Sequence, residues 1–143
     1  MQLQQNDLFT NFSSELQRRM NLMSTEGEYE TEKVDMEKFV CSPEYMDLSD
    51  DISKANLQLL KHVDNPKIRE AWLILGKGSG KSFNSSIYQC RGVWETCILK
   101  NPQKYSKLAV GTNIYFLNMA TNQIQARDVV FADFIEKLNH SKC

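Results

Sequence analysis

Between Leu75 and Ser82 the chain reads LGKGSGKS, with three glycines, two lysines and two serines in eight positions. Glycine has no Cβ, so the backbone at Gly76, Gly78 and Gly80 can turn successive N–H groups toward one point and present them as a nest for an anion. Lys81 adds a flexible point charge suited to the β and γ phosphates of a nucleoside triphosphate, and the Ser82 hydroxyl is the type of ligand that Mg²⁺ takes beside such phosphates. Gly76, Lys77, Gly78, Ser79, Gly80, Lys81 and Ser82 therefore form the candidate nucleotide-binding set, with Lys81 as a catalytic charge and Ser82 as the metal ligand. The strict pattern GxxxxGK[ST] asks for glycine at the position of Leu75. A glycine-rich turn with an incidental lysine is the plain alternative, and the flanking elements bear on the choice.

Ahead of the loop, Ala71 to Leu75 is a continuous apolar run ended by Gly76, which predicts a buried parallel strand. Beyond the loop the period changes. Phe83, Ile87, Cys90, Trp94, Cys97 and Ile98 recur at three and four, predicting a helix of about five turns that runs to Lys100 and stops at Asn101 and Pro102. TNIYFLNMA, Thr112 to Ala120, has the β-branched and aromatic content of a second strand, centred on Ile114 to Leu117. Asn122 and Gln125 predict a capping box for a further helix with Val130, Phe131, Phe134, Ile135 and Leu138 on one face. Strand, helix, strand, helix predicts an α/β fold: a parallel sheet flanked by helices, with right-handed crossovers. A glycine loop between a strand and a helix is the context that makes a phosphate loop specific.

The amino-terminal part differs in character. Leu8, Phe9, Phe12, Leu16, Met20 and Met23 predict an amphipathic helix within residues 6–23, and residues 24–38 read as an aperiodic linker with six acidic side chains. Phe39 to Lys61 predicts a turn-rich approach followed by a helix bearing Ile52, Leu57 and Leu60, closed by a turn at DNPK. Up to Ser53 there are four basic against twelve acidic residues, a net of −8; from Lys54 onward there are thirteen against six, a net of +7. That polarity suits a body that approaches a polyanion and an arm that meets a protein, or an acidic arm that is only solvated. Residues 1–38 accordingly read as an acidic helical arm, and residues 39–143 as the first part of a phosphate-loop domain.

Cys41, Cys90, Cys97 and Cys143 include no CxxC pair, and His62 and His140 do not complete a zinc set with them. Cys90 and Cys97 read as small core residues. No apolar run approaches the roughly 18 residues of a membrane span, and MQLQQNDLFTNF has no secretory pattern, so an intracellular, non-membrane setting is expected.

REAWLILGKGSGKS, CILKNPQKY and IYFLNMATNQIQARDVVF, preceded by FVCSPEYMDL, together resemble the amino-terminal ATPase region of the large terminase subunit of tailed bacteriophages, over about residues 39 to 143. The resemblance implies ATP and Mg²⁺ as cofactors. It implies a packaging motor acting on double-stranded DNA in the host cytoplasm, in a homo-oligomeric ring, with a portal protein and a small terminase subunit as partners. That family's loop carries arginine where this chain has Lys77, which marks Lys77 as a second catalytic charge that lacks the bidentate fork. Asn118 to Gln125 would lie near the nucleotide and the DNA track. The family also needs a strand ending in Asp-Glu; the local candidate, VVFAD at Val129 to Asp133, keeps helical spacing and lacks the adjacent Glu. The carboxylates of a nuclease domain are absent as well. The chain is therefore expected to bind nucleotide and to hydrolyse it poorly alone. A helicase-like or kinase-like phosphate-loop enzyme, or a catalytically incomplete fragment that binds a partner through Leu8 to Met23, stays open beside this reading.

Overall fold

The computed structural model describes residues 28–142, so the helix expected within residues 6–23 lies outside the described residues. The chain divides into two units, Lys33–Cys97 with Asn113–Cys143, and Met1–Glu32 with Ile98–Thr112.

In the first of these, α1 (Met36–Cys41), α2 (Lys54–Val63) and α3 (Lys81–Cys97) precede a π-helix (Gln125–Phe131). A last helix, Ala132–His140, follows it. Residue chemistry sets the starts of the first two. Asp35 Oδ1 accepts from Lys38 N at 2.8 Å and Ser53 Oγ accepts from Asn56 N at 3.2 Å, each satisfying a donor that a helix amino terminus leaves free. Met36, Phe39 and Val40 are buried on α1. The stretch read as a linker thus ends in a helix too short for its period to show in sequence.

The core gathers on α3, where Ile87, Cys90 and Trp94 are buried as their spacing predicts. Asn84, Ser86 and Arg91 are buried with them. Arg91 is 2% exposed and lies over two adjoining rings, its guanidinium carbon 5.1 Å from the Phe39 centroid and 4.8 Å from that of Trp94. Its Nη2 donates to Val34 O at 2.5 Å and lies 3.5 Å from Asp64 Oδ2, while Nε lies 2.9 Å from Glu95 Oε1. Burial pushes the Asp64 carboxyl above its ordinary range, and the Arg91 charge opposes that shift. Cys97, expected in the core, is exposed.

The expected parallel sheet does not form among the described residues. The runs Ala71–Leu75 and Asn113–Met119 have no regular secondary structure, and no backbone bond pairs either with another segment. Their side chains do alternate: Leu73 is 39% exposed between Trp72 at 83% and Ile74 at 95%. Leu73 lines a cavity that Asn84, Ser85 and Tyr88 of α3 also line, and Phe116 meets the same helix at Gly92. Apolar residues on both faces of a strand require two covering layers; here one layer, α3, is present, and the outer side chains of both runs are exposed.

The predicted final helix is also changed. Asn122 Oδ1 accepts from Gln125 N at 2.8 Å as expected, but Gln125 Oε1 accepts from Thr121 Oγ1 at 2.6 Å instead of closing a capping box. The wide π turn then shifts the register, so that Phe134 is buried while Phe131 stays exposed.

In the second unit, Tyr29 pairs with Leu99 in an antiparallel bridge, with Glu30 N bonded to Ile98 O at 2.7 Å and Lys100 N to Glu28 O at 2.9 Å. The expected continuation of α3 to Lys100 is replaced by this pairing. The short α4 (Pro102–Tyr105) follows, and with it in place the last helix, Ala132–His140, is α5.

Candidate functional site

The segment Gly76–Ser82 ends at the start of α3, a helix of 17 residues. Gly78 and Gly80 have φ of +79° and +77°, and Ser79 between them is not in the left-handed region. This alternation in the sign of φ is the backbone pattern that turns neighbouring N–H groups to one side. Among the described residues, no oxygen accepts from the N–H groups of Lys77 to Phe83; the first bond of the helix runs from Asn84 N to Gly80 O at 2.8 Å. A row of free donors at a helix amino terminus, where the macrodipole is positive, is what an anion requires. Space is present too, since a Cβ built on Gly76 or Gly78 meets nothing within 4 Å.

Side chains close the loop from within. Lys81 Nζ donates to Leu75 O at 2.9 Å and to Gly76 O at 2.6 Å, and Ser79 Oγ donates to Gly76 O at 2.7 Å. An ammonium has three donors, so one remains for a ligand. Leu75 contributes its carbonyl and does not have a positive φ, which is why the departure from the strict glycine pattern carries no conformational penalty. Lys77 and Ser82 are exposed and make no side-chain hydrogen bond or ion pair among the described residues. Of the seven residues singled out by sequence, all lie in one continuous loop and helix start.

Two asparagines flank the loop and were not singled out. The Cβ position at Gly80 lies 3.1 Å from Asn56 Nδ2 and 3.8 Å from Asn84 Nδ2. Asn84 is 1% exposed and neither end of its amide has a hydrogen-bond partner among the described residues. The signal for it is the row Asn84, Ile87, Arg91, Trp94, in which two polar residues occupy the buried spacing of the helix. Beside it lies a cavity of about 300 Å³ between α2, α3 and residues 68–73. Tyr88, on its wall, has its hydroxyl pKa raised by burial and further by Asp64 and Glu95.

Asp133, the last residue of VVFAD, sits in the first turn of α5. It accepts from Ser86 Oγ at 2.6 Å and pairs with Lys137. Both carboxylate oxygens are thereby engaged within the protein, as suits a helix face. Among the described residues no group of three or more His, Cys, Asp or Glu side chains is arranged to hold a metal ion, and no helix is long and apolar enough to cross a membrane.

Residues 7–143 match the family described as "Uncharacterized protein MJ0330, N-terminal P-loop domain". No curated protein and no solved structure matches the chain.

Proposed function

The chain belongs to the MJ0330 N-terminal P-loop domain family, and from that premise we propose that Gly76–Ser82 binds the phosphates of a nucleoside triphosphate, ATP in the first instance, together with Mg²⁺. The observation that carries this reading is the run of unpartnered N–H groups from Lys77 to Phe83 at the head of α3, with Gly78 and Gly80 alternating in φ. The donor set fits the group: backbone amides and the Lys81 ammonium for the phosphate oxygens, and the free Ser82 hydroxyl for the metal. A bound Mg²⁺ would neutralise charge on the β and γ phosphates. Lys77 offers a second charge from the exposed side of the loop. Ser79 keeps the loop closed through Gly76 O.

Hydrolysis needs a carboxylate to hold Mg²⁺ and another to polarise water. Asp133, the candidate that VVFAD supplies, is committed to Ser86 and Lys137 and takes neither role in this arrangement. Within this class the finer reading is a terminase-like motor on double-stranded DNA, working as a ring with portal and small-subunit partners. It rests on the resemblance of the strings around residues 69–82 and 114–131.

Isothermal titration with ATP and with AMP, each with Mg²⁺, tests the proposal. The loop engages β and γ phosphates, so ATP is expected to bind at least about tenfold more tightly, or ~1.4 kcal/mol. Equal affinity for the two would contradict it.

A further inference from the structure

The unit containing Ile98–Thr112 holds a second basic site, and we propose that it binds a single strand of nucleic acid, phosphates on Lys100, Lys104 and Lys107 and a base on Tyr105. These residues line a cavity of about 430 Å³ together with Glu28 and Asn101. Among the described residues none of the three ammonium groups has an ion-pair partner, so three cations face one carboxylate. Tyr105 is 52% exposed, and its ring is backed by Tyr29 at a centroid distance of 6.3 Å.

Local structure explains how the lysines come together. The Tyr29–Leu99 bridge fixes Lys100 opposite Glu28, and α4 carries Lys104 one turn further on. The helix then ends in a Schellman arrangement: Leu108 N donates to Gln103 O at 2.7 Å and Lys107 N to Lys104 O at 3.0 Å. The residue at the left-handed position of that motif is ordinarily glycine, because a side chain is strained there. Here it is Lys107, at φ +57°. Lys107 thus stands where glycine folds more easily, and its side chain lines the basic cavity.

The base-stacking ring decides which polyanion. A duplex keeps its bases stacked inside and would use the lysines alone, whereas an unpaired base can lie on an exposed tyrosine while lysines track its backbone. This inference is independent of the phosphate loop, and its failure would leave the nucleotide proposal standing.

The test is fluorescence anisotropy of the full chain with a labelled oligo-dT of about 15 nucleotides over a range of salt. Lys107→Gly is the informative variant, because relief of the left-handed strain is expected to leave Tm unchanged or raised while affinity falls about threefold or more. The slope of log K against log salt should shrink by about 0.7 for each lysine removed. Tyr105→Ala is expected to weaken oligo-dT several-fold and to leave duplex binding unaltered. Lys54→Ala, a lysine of the other unit, should bind as wild type. Unchanged affinity in Lys107→Gly, or a Tyr105→Ala effect equal on single strand and duplex, would overturn the proposal. Competition by thymidine monophosphate at equal nucleotide concentration would also overturn it, in favour of a mononucleotide site.

Discussion

Gly80 shows how far one residue constrains the loop. At φ +77° an alanine would carry left-handed strain of about 1–2 kcal/mol. Its Cβ would also stand 3.1 Å from Asn56 Nδ2, closer than such contacts usually come. Gly80→Ala is therefore expected to lower the urea unfolding free energy by about that amount and to weaken nucleotide binding, while Gly76→Ala, with open space around it, should change stability by less than about 0.5 kcal/mol. Equal effects at the two positions would contradict the geometry. The loop was legible because its chemistry is local: glycine spacing, the adjacent lysine and a helix start within eight residues. Asn84 and Arg91 were not, because a polar residue in an apolar row reads as an interruption until its surroundings are seen.

At the level of elements, α3 carries the fold, and Arg91 is where it is most exposed to damage. Removing the guanidinium would open space beside the paired rings of Phe39 and Trp94 and leave Asp64 and Glu95 without their shared cation. Arg91→Ala is expected to cost about 3 kcal/mol or more, read as a shift of the denaturant midpoint at constant slope; a loss under about 1 kcal/mol would show that the ion pairs contribute little. The period of α3 predicted its buried face at Ile87, Cys90 and Trp94, but its end at Cys97 depends on pairing of Ile98 and Lys100 with residues far away in sequence. The π-helix was illegible for a related reason. Val130, Phe131 and Phe134 keep spacings compatible with an α-helix, and nothing local announces the wider turn. The two apolar runs predicted strands from composition; whether a strand finds a neighbour is decided by chain that composition does not reveal.

For the whole molecule, the family match and the loop agree on a P-loop domain, while Asp133, the carboxylate the sequence offers for hydrolysis, is engaged by Ser86 and Lys137. Steady-state ATP turnover by these 143 residues is therefore expected to be slow, well below about 1 s⁻¹, in a coupled phosphate-release assay. Turnover in the ordinary enzyme range, about 10 s⁻¹, would mean that a carboxylate other than Asp133 serves the reaction. Of the predicted order, the loop and the helices Lys81–Cys97 and Ala132–His140 are present, whereas neither apolar run forms a strand among the described residues, and the outer side chains of Trp72–Ile74 and Tyr115–Leu117 are exposed.

The central claim is that Lys81 and the amides beside it receive a polyphosphate. Isothermal titration of Mg²⁺-ATP into the wild type and Lys81→Ala, with circular dichroism to show that both are folded, tests it most directly. The account predicts at least about a tenfold loss of affinity in the variant. Equal affinity in two folded proteins would contradict it.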